Sequence, residues 1–129
     1  MLLLAVALLT LVAAWPLAAL AKDGDGEVRV KGTCSKGAAS ELRLKSGDDG
    51  VELRFKLHHS RTGAAWRVVL VQERRIAWKG AAKAAGSNGS FELRRTLPDL
   101  LGSDAVTVRA WGPHGLGCQA TAILAKSSN

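Results

Sequence analysis

The sequence predicts an all-β domain: a two-layered sandwich of about seven or eight short strands, closed by one disulfide and preceded by a hydrophobic signal helix. Three observations carry this. Apolar and polar residues alternate with a period of two through most of the chain from Glu27 to Leu124, the pattern of half-buried strands. Turn-forming clusters punctuate that pattern at roughly 8–12 residue intervals, a spacing of sandwiches and barrels rather than βαβ units. The two cysteines, Cys34 and Cys118, fall near opposite ends of the patterned region.

The first 21 residues stand apart. Residues 2–14 are apolar except Thr10, Trp15-Pro16 ends the run, and Ala19-Leu20-Ala21 places small residues where a signal peptidase reads. This is a secretory signal peptide by pattern, although only the α-amino group supplies positive charge ahead of the apolar run. The alternative is an uncleaved anchor, because Leu2 to Ala21 is about long enough to cross a bilayer. Pro16 and the Ala-x-Ala ending favour cleavage. Roughly 108 residues then remain, enough for one modest core. They divide into a polar lead-in at 22–26, a β-sandwich domain at 27–125 and a polar tail at 126–129. The leader holds no charged side chain, so the formal net charge of +7 belongs to the mature part. Such a domain favours acidic partners: anionic wall polymer, polysaccharide, anionic lipid or nucleic acid. The plainer alternative is a soluble domain whose outer faces use Arg and Lys. The bias toward Ala, Gly, Arg and Leu associates with GC-rich bacterial genomes.

From Glu27 the alternation puts Val28, Val30, Gly32 and Cys34 on one side and Arg29, Lys31 and Thr33 on the other. One strand over 27–34 is predicted. A second, from Ser40 to Ser46, turns Leu42 and Leu44 inward. Gly47-Asp48-Asp49-Gly50 is a turn by composition. Val51 to His59 is the clearest strand, with Val51, Leu53, Phe55 and Leu57 inward and Glu52, Arg54, Lys56 and His58 outward. The stretch Ala65 to Trp78, AWRVVLVQERRIAW, is the centre of the chain. It reads as two strands, roughly 65–73 and 75–83, meeting at a tight turn. Trp66 is its large core residue, and Trp78 shares the parity of Ile76 and is assigned to the core. Gly86-Ser87-Asn88-Gly89 is a further turn. Phe91, Leu93 and Leu97 mark the next strand, and residues 97–102 a crossing between sheets with Leu100 or Leu101 plugging the end. Val106, Val108 and Ala110 make another strand, and Leu116 to Leu124 the last.

Export would place Cys34 and Cys118 where disulfides persist. Both lie on the inward parity of the first and last strands, which lie side by side in many Greek-key sandwiches. Bonding them closes a loop of about 84 residues and contributes on the order of 4 kcal/mol in the chain-entropy account. No Cys-x-x-Cys and no neighbouring His suggests redox or metal chemistry. The strand count, Trp66 on the third main strand and the crossing loop resemble an immunoglobulin-like or fibronectin type III-like β-sandwich. On that resemblance Val51–His59 is strand B, Trp66–Glu73 C, Arg75–Lys83 C′, Ser90–Leu97 E, Ala105–Trp111 F and Leu116–Leu124 G. The cysteines are not on B and F, and the chain has no Tyr, so the antibody-type disulfide and tyrosine corner are absent. The chain also resembles short secreted actinobacterial proteins, which implies location rather than chemistry.

Two outer faces are candidate sites. In a sandwich of this kind C, F and G are neighbours, and their outward parity carries Arg67, Val69, Val71, Arg109, Trp111 and Ile123. Val71 is expected near Ile123 at one end and Trp111 near Arg67 at the other, an apolar strip rimmed by Arg. The alternative is that Val69 and Val71 serve only as β-favouring residues. The second candidate is basic: Arg29, Lys31, Arg43, Lys45, Arg54 and Lys56 alternate outward on three early strands. Nucleic-acid binding usually adds stacking aromatics or a groove-reading helix, so envelope polymer is the better match.

No metal, cofactor or catalytic residue is expected. His58 and His59 point to opposite faces of a strand, and with His114 they read as solvent histidines. No Gly-x-Ser-x-Gly elbow or phosphate loop occurs, and Asp48-Asp49 lacks the further ligands of a calcium loop. Asn88-Gly89-Ser90 fits a glycosylation acceptor but reads as a hairpin turn. The expectation is a secreted, non-enzymatic binding or adhesion module. Its partner is an extracellular protein or, through weak self-association, a second copy. The first alternative is an envelope domain that binds anionic polymer by charge. The second is an inhibitor or enzyme, for which Gly112-Pro113-His114-Gly115 is the loop to examine. Membrane contact arises only if the leader is retained.

Overall fold

The computed structural model describes residues 26–100 and 104–125. They form two antiparallel sheets around one apolar core. The strands are β1 (Glu27–Lys31), β2 (Thr33–Cys34), β3 (Ala39–Gly47), β4 (Gly50–His58), β5 (Ala65–Gln72), β6 (Arg75–Lys83), β7 (Phe91–Leu97), β8 (Asp104–Trp111) and β9 (Gly117–Leu124). The first sheet has the order β1-β3-β4-β7 and the second β2-β9-β8-β5-β6. The described residues hold no α-helix, only a short 3-10 turn at Pro113–Gly115. The leader and the polar tail lie outside the described residues, as does Leu101.

The period-two pattern decides which residues are inside. Leu42, Leu44, Val51, Leu53, Phe55 and Leu57 from the first sheet meet Trp66, Val68, Leu70, Val106, Val108 and Ala110 from the second, all buried. Trp66 is fully buried, and its Nε1–H donates to Ser60 Oγ at 2.9 Å. That bond satisfies the one polar atom which burial of an indole would otherwise strand. Aromatic bulk gathers at this end, with Phe91 between Phe55 and Trp66 at centroid distances of 6.2 and 6.1 Å. On β9 three of the four inward residues are small (Cys118, Ala120, Ala122), and β1 and β3 of the other sheet lie close to this strand.

That close approach corrects the reading of residues 27–34 as one strand. The chain pairs with β3 through Lys31, then crosses at Gly32 to pair with β9 through Thr33 and Cys34. A Cβ on Gly32 would lie 2.0 Å from Ser40 Oγ and 3.0 Å from the carbonyl of Gln119. Any side chain there would force Ser40 to move. Alternation by itself carries no mark of a change of sheet. Just past the crossing, Cys34 stands directly opposite Cys118 and is bonded to it, with Cα atoms 4.1 Å apart and a sequence separation of 84.

The central hairpin turns through Glu73 and Arg74, with φ of 49° and 68°. Two positive φ values in a two-residue loop define the type I′ turn that matches strand twist. Non-glycine residues are costly there, and Glu73 offsets the cost. Its N–H donates to the Ala105 carbonyl at 3.1 Å, and its carboxylate accepts from the Ala105 N–H at 2.8 Å. Beyond the turn a register shift intervenes: Leu70 pairs with Trp78, but Val71 pairs with Ile76. The shift overturns the assignment of Ile76 and Trp78 to one face. Ile76 is 64% exposed. Trp78 is half-buried at the sandwich edge, its ring lying over Gly80 and capped by the Arg95 guanidinium 4.3 Å from the ring centroid.

The crossing from β7 to β8 is held by polar groups. Buried Gln72 donates to the Pro98 carbonyl at 2.6 Å and to Asp104 Oδ1 at 3.3 Å, while Asp104 Oδ1 accepts from Leu100 N at 3.2 Å. Leu100 is half-buried.

Two outcomes test this account. Replacing both cysteines, Cys34→Ala with Cys118→Ala, is expected to cost about 4 kcal/mol in chemical denaturation, as the length of the closed loop requires. Arg74→Gly is expected to stabilise the fold by roughly 1 kcal/mol, since glycine adopts positive φ without a Cβ clash.

Candidate functional site

Strand pairing on the first sheet carries charge into straight rows on its outer face. The cross-strand partners run Arg29–Arg43–Arg54–Arg94 across all four strands. At about 4.8 Å between strands, the row spans roughly 14 Å. The rows on either side mix signs: Glu27–Lys45–Glu52–Thr96 and Lys31–Glu41–Lys56–Glu92. All six residues read from the sequence as a basic face, Arg29, Lys31, Arg43, Lys45, Arg54 and Lys56, stand on this surface. The fourth arginine, Arg94, was missed. Its outward parity opposite Leu93 was readable, but its pairing with β4 was not.

Like charges directly opposite each other in a sheet are destabilising. Two glutamates relieve the outer parts of the row. Glu27 Oε1 lies 3.1 Å from Arg29 Nε and 2.7 Å from Arg43 Nε; Glu92 Oε1 lies 2.7 Å from Arg94 Nε and 2.9 Å from Arg54 Nε. Each glutamate thus clips two arginines. Among the described residues no carboxylate bridges the central pair, Arg43 and Arg54. A groove of about 430 Å³ opens beside that pair, lined also by Lys45, Glu52, Arg94 and Arg95.

The clips set the acidity of both carboxyls. The hydrogen bond from Arg29 is the main cause holding Glu27 below the usual carboxylate range, with partial desolvation opposing it and the charges of Arg43 and Lys45 adding to it. Glu92 is lowered in the same way, first by Arg94, with the charges of Arg54 and Lys56 adding.

The outer face of the second sheet differs. Arg67 stands directly opposite Trp111, as the sequence suggested, and Val69 stands opposite Arg109. Trp111 is 48% exposed. The expected meeting of Val71 with Ile123 does not occur. Val71 faces Thr107, which faces Thr121, and Ile123 pairs with Ala105 one row further on. The register of two intervening pairings decides this, and the two threonine hydroxyls, 2.9 Å apart, interrupt the apolar strip. Exposed Ile76, brought outward by the register shift, extends the strip on the other side of Val71.

The loops hold no further constellation. Among the described residues no three His, Cys, Asp or Glu side chains converge as a metal site. The His58 and His59 ring centroids are 6.2 Å apart. The Gly112–Gly115 loop is tied down: Ser35 Oγ donates to the Gly115 carbonyl at 3.1 Å and accepts from Gly117 N at 2.9 Å, and Lys36 Nζ bonds the His114 carbonyl. Asn88 and Gly89 are paired through their carbonyls with His59 and Ser60 N–H.

Compared with protein families, with curated proteins and with solved structures, the chain finds no match. What the described residues define is an all-β, two-sheet domain with one disulfide and two unlike outer faces.

The clips carry a pH dependence. A carboxyl whose folded pKa is lowered adds stability that is complete above its unfolded value and is lost as pH falls through the folded one. Glu27→Gln with Glu92→Gln is therefore expected to flatten the acid limb of a Tm-against-pH profile, leaving the double variant and the native protein equally stable once pH is below the lowered range. A parallel acid limb in the variant would contradict the assignment.

Proposed function

We propose that this protein is a secreted, non-enzymatic binding module with an immunoglobulin-like Greek-key sandwich, and that the outer face of its first sheet holds an anionic cell-envelope polymer. The observation that carries the reading is the unbridged Arg43–Arg54 pair at the centre of the arginine row. Folding by itself gains nothing from opposed guanidiniums. A carboxylate, phosphate or sulfate group between them removes the repulsion and accepts paired hydrogen bonds from two planar forks. Seven cations and four glutamates occupy the three rows, so a net positive field remains to attract an acidic chain.

The fold and location parts of the proposal have their own support. The neighbours β3-β4-β7 and β9-β8-β5-β6 correspond to the A-B-E and G-F-C-C′ orders of immunoglobulin-like sandwiches. The Cys34–Cys118 bond suits an oxidising compartment, in keeping with the exported leader read from residues 1–21. Among the described residues no helix is long and apolar enough to cross a membrane.

The test is retention on immobilised polyphosphate and dextran sulfate in a salt gradient. Arg43→Ser with Arg54→Ser is expected to elute at clearly lower salt than the native domain. Arg61→Ser with Lys83→Ser, which removes the same charge elsewhere, should shift elution far less. Equal shifts for the two double variants would reduce the effect to net charge and sink the site.

A further inference from the structure

We propose that Trp111, with Arg67 and Arg109, forms a second binding site on the opposite sheet, and that its ligand is an acidic polysaccharide carrying carboxylate on a pyranose ring. This goes beyond the arginine row: it concerns another face and a different mode of contact.

The geometry of the indole points to stacking. Trp111 ends β8 with Arg67 directly opposite on β5 and Gly117 directly opposite on β9. The glycine leaves that flank without a side chain. The ring consequently stands between two open grooves, of about 780 Å³ toward Arg67, Val69 and Lys79 and about 690 Å³ toward Arg109, Gln119 and Thr121. An exposed indole with both flanks open offers an electron-rich surface. The C–H face of a sugar ring, apolar and slightly positive at hydrogen, rests on such a surface.

Charge selects the kind of sugar. The residues lining the two grooves include Arg67, Lys79 and Arg109 of the second sheet and Lys31 of the first, and no Asp or Glu. None of the three cations of the second sheet has a carboxylate partner among the described residues. On the first sheet, by contrast, glutamates interleave with the cations. Arg109 lies two residues from Trp111 on the same strand, about 7 Å away, and Arg67 across the ladder from it. A ring stacked on the indole can thus present its carboxylate to either guanidinium. Gln119 and Thr121 supply neutral hydrogen-bonding groups suited to hydroxyls. Single-stranded nucleic acid is the competing ligand. It is usually held by successive aromatics, one per stacked base, and this face presents a single ring.

Titration with a hexamer of galacturonic acid, followed by indole fluorescence and calorimetry, tests the proposal. Binding is expected to perturb the exposed indole, to weaken at least tenfold in Trp111→Ala, and to recover in Trp111→Phe. Arg67→Gln with Arg109→Gln should weaken the hexamer and leave a neutral glucose hexamer unchanged. Retention on polyphosphate, which has no sugar ring, should be unaffected by Trp111→Ala and reduced by Arg43→Ser with Arg54→Ser. Each sheet's reading thus fails independently of the other. Wild-type affinity for the hexamer in Trp111→Ala, or tighter binding of an oligothymidylate than of the hexamer, would overturn the assignment.

Discussion

The passage of the chain between sheets at Gly32 is the constraint on which both outer faces rest. Before it, β1 is committed to the first sheet; after it, β2 is committed to the second. Both commitments sit within a few residues of the Cys34–Cys118 bond. The staple therefore holds one edge of each sheet in place. Besides the bond, β2 is held on β9 by two ladder pairs and by the hydrogen bonds of Ser35 to Gly115 and Gly117. Arg29 takes its place in the arginine row through the five-pair ladder of β1 with β3.

The faces differ because a sandwich separates two tasks. Inward positions are spent on the core, where Trp66, Phe55 and the leucines fill the space and the buried polar side chains, Ser40, Gln72 and Asp104, are few. Outward positions are free of that demand, so charge placed there is limited only by cross-strand neighbours. The first sheet pairs opposite signs in two rows and opposes like signs in the third. Glu27 and Glu92 each pair with one central and one outer arginine, so two carboxylates are shared among four guanidiniums. The second sheet spaces its cations with valine, threonine and tryptophan instead. One face is ordered by ion pairs, the other by shape.

The central hairpin shows how a local irregularity redistributes residues between core and surface. Glu73 and Arg74 adopt left-handed conformations with no glycine to announce them. The register shift that follows sends Ile76 outward and leaves Trp78 at the sandwich edge. A bulge of this kind twists and bends an edge strand, which discourages pairing with another chain. Trp78 over Gly80, under Arg95, covers the same edge.

Much of this was legible in the chain. Alternation placed Leu42, Leu44, Val51, Leu53, Phe55, Leu57, Trp66, Val68 and Leu70 inward, because side chains on a strand switch faces at every residue. Cysteines on the inward parity of the first and last strands announced their bond. The basic side chains of β1, β3 and β4 were likewise assigned outward from parity. Parity gives the face of a residue but not its neighbour across the ladder. That depends on register, a relation between segments far apart in sequence. Only the tertiary structure aligned Arg29, Arg43, Arg54 and Arg94 into one row, set Trp111 against Arg67 and Gly117, and separated Val71 from Ile123. Only the packing of two sheets accounts for the glycine at position 32, since the atoms that would crowd a side chain there come from Ser40 and Gln119.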